Sequence, residues 1–304
     1  MAAINVTAPF DGSEIGKVQN SNADDIERAL AKAHALFQNR DGWIPLPERL
    51  DILRRTAEII KERREELALQ AAREGGKPLA DSLVELDRAA DGVENCVEVM
   101  RAEGGEVIPM GINPASMGHA AFTQPEPIGV VVAVSAFNHP FNLIVHQVAP
   151  AVATGCPVIV KPAEVTPLSC FSFVEILYEA GLPKDWAQVV VPENLDLSTK
   201  LVTDPRNALF SFIGSARVGW MLRSQLSPGT RAALEHGGAA PVIVAKDADM
   251  AAAIPRLAKG GFYHAGQVCV SVQRIFAHAE IAEDLAAALA AEGDKMKVGD
   301  PTDA

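Results

Sequence analysis

The chain has 304 residues, 48% hydrophobic and 22% charged, which is enough apolar side chain for a sizeable core and about two globular domains. A formal net charge of −12, with only 3 Trp and 2 Tyr, argues against a nucleic-acid or anionic-membrane surface. No apolar run reaches the roughly 20 residues that span a bilayer, and the opening MAAINVTAPFDGSEIG lacks the basic start and apolar stretch of a secretory signal.

Residues 23–37, ADDIERALAKAHALF, have helical periodicity, with Asn22 or Ala23 near the start and acids in the first turn. Residues 46–73 predict one long amphipathic helix, its charges a solvated face, ended by Gly75-Gly76. Residues 81–102 predict a third helix that Gly92 weakens. The texture changes at 105: GEVIPMGINPASMGHAAFTQPEPIG is rich in Gly and Pro with β-like ends and predicts an excursion such as a projecting hairpin over 106–128. Alternation then begins. Strands are expected at 130–134, 157–161, 187–191, 207–214, 231–235 and 241–245, with helices at 141–155, 167–181 and 216–225. Apolar strands alternating with helices predict an α/β fold built on a parallel sheet with flanking helices. No internal repeat and no low-complexity tract occurs.

In such sheets ligands bind beyond the carboxyl ends of the strands. The residues there are SAFNHP with Asn138, KPAE with Lys161 and Glu164, GSARVG from Gly214 to Gly219, and EHGG with Glu235. Four strand ends with polar or glycine-rich chemistry on one rim inform more than any one motif. Gly214-Ser215 opening a helix is either a phosphate seat, using free N–H groups, or a simple serine N-cap; it is not the G-x-G-x-x-G fingerprint. Lys161 and Glu164 are either a surface ion pair or binders of ribose hydroxyls. Glu235 ends an apolar strand before Gly237-Gly238, where a carboxylate is rarely core filler, and Asn138 also suits a turn before Pro140.

The cysteines Cys96, Cys156, Cys170 and Cys269 are scattered and without C-x-x-C spacing. That disfavours a zinc site or disulfide framework and suits a reducing compartment such as the cytoplasm. No H-E-x-x-H and no P-loop motif occurs, so no metal is expected. Cys269, in YHAGQVCVSVQR, is by itself core filler, metal ligand or nucleophile.

Asn138, KPAE at 161–164, FIGSARVG at 212–219, LEHGG at 234–238 and GQVC at 266–269 together resemble the aldehyde dehydrogenase superfamily, in order and in the Glu-to-Cys spacing, 269 − 235 = 34. The resemblance runs from the early helices to KVGDP at 297–301. It implies a Rossmann-like cofactor domain over 1–105 and 129–235, an oligomerisation hairpin over 106–128, and the beginning of a second α/β catalytic domain over 236–304. It implies Cys269 as nucleophile, Glu235 as general base, and Asn138 as oxyanion donor with the Cys269 N–H. Lys161 and Glu164 correspond to binders of the adenosine ribose, Gly214 and Ser215 to the pyrophosphate contacts, with Gly219 and Phe137 also on the cofactor side, and Gly237 and Gly238 to backbone near the nicotinamide. Phe137 stands where the family has Trp or Phe. The implied activity is oxidation of an aldehyde to a carboxylic acid with NAD, or NADP as the alternative. Glu164 favours NAD because its carboxylate would repel a 2′-phosphate.

The departures are Ala136 for a usual Pro, His236 for Leu or Met, and Ile213 for a common Thr; none removes a catalytic group. Family members continue past the point corresponding to Ala304, with a Glu-x-Phe-Gly-Pro motif and an assembly strand, so the chain is expected to be a fragment of a homodimeric or homotetrameric enzyme. His139, Asn142, Leu143 and His146 share one helical face and correspond to the aldehyde tunnel. Their polarity predicts a small polar or anionic aldehyde, as in lactaldehyde-, phosphonoacetaldehyde- or semialdehyde-like branches. The alternatives are acylating transfer to coenzyme A or phosphate, against which Glu235 counts, and a non-catalytic cofactor-binding or interaction module. A cysteine hydrolase lacks a histidine with a recognisable place beside Cys269, since His264 lies five residues away with no readable direction.

Overall fold

The computed structural model describes residues 3–303. It opens with an antiparallel hairpin absent from the sequence expectation, β1 (Ala3–Thr7) and β2 (Glu14–Gln19). Helix α1 (Ala23–Gln38) follows, with Asn22 as its N-cap in a reciprocal capping box with Asp25. The predicted single helix over 46–73 is instead two, α2 (Leu46–Glu62) and α3 (Arg64–Gly75), broken at Arg63. The run KERREE at 61–66 has no apolar residue to hold a continuous helix on the core, so each half turns its own apolar stripe inward. Gly76 caps α3 in the left-handed conformation (φ 67°). Helix α4 (Leu79–Ala102) carries Gly92 without a break, because that position lies against Val145 and His146, where α4 packs on the next helix.

The expected hairpin over 106–128 contains only two short paired strands, β3 (Val107–Ile108) and β4 (Ala121–Phe122). Its apolar side chains Val107, Ile112, Met117 and Phe122 are exposed.

The centre is a five-stranded parallel sheet of β5 (Val130–Val134), β6 (Val158–Lys161), β7 (Ala187–Val189), β8 (Asn207–Gly214) and β9 (Arg231–His236), in the order β7-β6-β5-β8-β9. Helices α5 (Asn142–Ala153), α6 (Leu168–Glu179), α7 (Leu195–Thr203) and α8 (Ala216–Arg223) connect them; α7 carried no expectation. Val131, Ala133, Val158 and Val160 face a core formed with α2, α4, α5 and α6. Val130, Val132, Ile159 and Phe210 face the opposite core under α1. A sheet covered on both faces explains why these strands read as continuous apolar runs.

The expected strand at 241–245 is β10 (Val242–Val244), and it lies outside this sheet. It pairs in parallel with β11 (Ile275–Ala277), with α9 (Met250–Phe262) between them and α10 (Ala282–Gly293) following. No described helix is long and apolar enough to cross a membrane.

Candidate active site

Parallel strands bring β5, β8 and β9 to one rim, and the segment after α9 closes over it. The result is an open cleft of about 270 Å³. Its walls include Phe137 and Asn138 after β5, Gly214 and Ser215 after β8, Glu235 and Gly237 at the end of β9, and Cys269. Those residues are distant in sequence, and the fold brings them to one cleft. Lys161 and Glu164 stand after β6, beside β5, with Lys161 Nζ 3.3 Å from Glu164 Oε1.

The Asn138 loop is held from below. Glu85 of α4 is fully buried, and its Oε1 accepts hydrogen bonds from the Phe141 and Asn142 N–H groups, both at 2.9 Å, at the start of α5. Its Oε2 takes the Lys77 ammonium at 2.6 Å, and both side chains of this pair are inaccessible to water. Glu74 repeats the device at α6, accepting from Leu168 and Ser169 N–H at 2.8 Å. Burial pushes the Glu74 carboxyl up to about 7 against those hydrogen bonds. Sequence reasoning missed Lys77 and Glu85. The available signal was position: Glu85 falls on the buried stripe of α4 with Ser82, Leu86, Ala89 and Val93.

Three left-handed residues in succession, His264 (φ 48°), Ala265 (φ 52°) and Gly266 (φ 76°), turn the chain from α9 towards Cys269. Ser271 fixes the next turn through its N–H to the Val268 carbonyl and its Oγ to the Gly266 carbonyl, both at 3.0 Å. Gln273 N–H donates to the Ala239 carbonyl at 3.1 Å and ties the segment to the residues after β9. Cys269 is the exposed member of the four cysteines, which are all free. No cluster of three His, Cys, Asp or Glu side chains that could hold a metal ion occurs among the described residues.

Gly238 sets how closely the two segments approach. A Cβ there would sit 2.9 Å from the Cys269 carbonyl oxygen, a backbone atom that cannot swing away. Gly238→Ala is therefore expected to displace Cys269 and slow its acylation about tenfold or more, since small misplacements are costly in catalysis; stopped-flow acylation by an activated ester checks this. Gly219 packs outside the cleft wall, on α8, where His236 Nε2 occupies the space of a Cβ (2.2 Å). That imidazole also lies edge-on to Phe212 and Trp220, so His236 packs under α8.

The residues present suit a dinucleotide. Ser215 caps α8 through Val218 N–H at 3.5 Å, and the first-turn N–H groups of a helix have no intrahelical acceptor, which favours an anionic group. Glu164 is exposed and has free acceptor capacity for sugar hydroxyls.

The expected tunnel residues do not line this cleft. His139 and Asn142 are buried behind it, Leu143 is half-buried, and His146 is exposed along α5. Two features account for this: Pro140 and Phe141 turn the chain before α5 begins, and Glu85 draws the first turn of that helix inward. Burial, followed by the charge of Lys77, holds His139 down at about 3 and His264 at about 4, so both imidazoles are neutral at neutral pH.

The model of the aldehyde dehydrogenase family matches residues 2–304. A 3-sulfolactaldehyde dehydrogenase of Priestia aryabhattai is 36% identical over 287 residues, covering 94% of this chain and 59% of the relative. The crystal structure of succinate-semialdehyde dehydrogenase from Burkholderia pseudomallei superposes with a TM-score of 0.92 at 35% identity, covering 99% of this chain and 62% of that one. A betaine aldehyde dehydrogenase double mutant from Staphylococcus aureus, in complex with NAD+, superposes with a TM-score of 0.94 at 30% identity, covering 99% and 61%. The chain thus spans about three-fifths of the length of the relatives it matches.

Proposed function

The chain belongs to the aldehyde dehydrogenase family, and from that premise we propose that it oxidises a small polar or anionic aldehyde to the carboxylic acid, using NAD, through a covalent intermediate on Cys269. One observation carries the reading: Cys269, Asn138 and Glu235, from three separate segments, share one cleft.

In this mechanism the Cys269 thiolate attacks the aldehyde carbon, since the thiolate is the nucleophilic form. The carbonyl oxygen takes up negative charge as the C–S bond forms. The Asn138 side-chain amide and the Cys269 backbone N–H donate to that oxygen, each donor being worth about 3–4 kcal/mol in comparable sites. NAD, when bound, supplies the hydride acceptor for the oxidation. Residues of this chain that would hold it are Lys161 and Glu164 at the ribose, Gly214 and Ser215 at the diphosphate, and Phe137 and Gly237 nearer the reacting end. The thioester left on Cys269 is hydrolysed by water, with Glu235 taking the proton as general base. Glu235 also speaks against transfer to coenzyme A, in which water must be excluded from the thioester.

The exposed apolar hairpin at 106–128 suits a subunit contact in a homodimer or homotetramer. The segments 1–105 with 129–235, and 236–304, serve as cofactor-binding and catalytic portions.

Two measurements test the cofactor and substrate. NAD is expected to have the lower Michaelis constant, and Glu164→Gln is expected to narrow the preference over NADP about tenfold, worth ~1.4 kcal/mol. A much lower Michaelis constant for NADP in the parent protein contradicts the assignment. In an aldehyde panel, succinic semialdehyde or a similar small anionic aldehyde is expected to give a higher kcat/KM than decanal. The reverse order contradicts the substrate class.

A further inference from the structure

We propose that His264 is a positioning residue that locks the Asn138 loop and the Cys269 segment into one oxyanion-binding geometry. The proposal rests on the reading above, in which Asn138 and the Cys269 N–H share the oxyanion. Those two donors come from segments that are 131 residues apart in the chain, 269 − 138, so something must fix their separation.

His264 is placed to do so. It lies five residues before Cys269, in the left-handed turn that leads to it, and is only 5% exposed. Its ring meets that of His139, the residue after Asn138, edge to face with centroids 6.4 Å apart. Its backbone is left-handed (φ 48°, ψ 44°), and so is that of Ala265 (φ 52°, ψ 30°). Residues other than glycine stay in that region only where their surroundings over-determine them, and they concentrate at functional sites. His264 Nε2 is buried with no hydrogen-bond partner, so the ring is not retained merely to satisfy its own polar atoms. Burial keeps the ring neutral, so it carries one donor and one acceptor nitrogen.

The test separates chemistry that builds an oxyanion from chemistry that does not, and it needs no cofactor. With p-nitrophenyl acetate, the Cys269 thiolate adds to the ester carbonyl and forms a C–S bond and an oxyanion. Collapse breaks the ester C–O bond and releases p-nitrophenolate, leaving acetyl-Cys269. With iodoacetamide, the same thiolate displaces iodide directly and no oxyanion forms.

His264→Gly keeps the left-handed backbone while removing the ring. It is expected to slow the p-nitrophenolate burst at least about tenfold while iodoacetamide alkylation stays within about twofold. His264→Asn, which tolerates the backbone and retains a donor, or added imidazole with the glycine variant, is expected to restore much of the burst. A burst within about twofold of the parent in His264→Gly overturns the positioning role. Equal slowing of both reactions also overturns it, because the ring would then only fold the segment. A parent burst that survives Cys269→Ala instead defeats the nucleophile reading itself, and this proposal with it.

Discussion

Replacing Cys269 by serine is expected to lower NAD-linked acid formation at least about a thousandfold, while the NAD dissociation constant stays within about twofold. A serine hydroxyl is a weak nucleophile without an adjacent base. The buried imidazole of its own segment, His264, packs edge to face on His139, and it is kept neutral by burial. The Cys269 N–H survives the substitution, so the oxyanion donors remain while the attacking atom fails. Cofactor contacts assigned to the ends of β6 and β8 lie on other segments and should be indifferent to it. Initial rates of NADH formation and a fluorescence titration with NAD measure the two quantities separately. Retained turnover refutes the nucleophile, whereas joint loss of turnover and binding points to a collapsed cleft.

The second large effect is on stability and comes from beneath the site. Glu85→Ala leaves the Lys77 ammonium buried without its partner and removes the acceptor for two N–H groups at the start of α5. Breaking one side of a buried ion pair typically costs 3–5 kcal/mol, so a loss of about 4 kcal/mol in urea unfolding is expected. The double variant Lys77→Met with Glu85→Gln removes both charges and keeps an acceptor for α5. It is expected to recover at least about half of the loss, because the penalty lies mainly in the uncompensated charge. A loss below about 1 kcal/mol for Glu85→Ala contradicts this account, since it would place that carboxylate in water.

The middle of the sheet was legible because β5 and β6 are buried on both faces: VVVAV and PVIVK admit few readings besides a central parallel strand. The rim of the cleft was legible for the same reason, since parallel strands place their C-terminal loops on one side. The second half was harder to read. Pro255 interrupts the pattern of α9, and β11 is three residues long, so neither announces itself. β1 and β2 alternate weakly, and each buries one valine, Val6 or Val18. The break at Arg63 was hidden because the charge run there suits an exposed helix as well as a kink. Lys77 and Glu85 look like ordinary surface charges until α4 is seen to turn Glu85 inward. The left-handed turn at His264 and Ala265 cannot be read from residue types, because positive φ is uncommon outside glycine and alanine gives no signal for it. Helical spacing alone grouped His139, Asn142, Leu143 and His146 on one face, but α5 begins only at Asn142, and Glu85 binds the first N–H groups of that helix, leaving His139 and Asn142 behind the cleft wall.

If Cys269 attacks carbonyl carbon in the cleft it shares with Asn138, acid quenching seconds after mixing with p-nitrophenyl acetate traps the product for peptide mass mapping. A stoichiometric acetyl group is expected on the peptide containing Cys269, absent from Cys269→Ala and reduced in Asn138→Ala. Acetylation that falls on Cys96, Cys156 or Cys170, or that is indifferent to both substitutions, contradicts it.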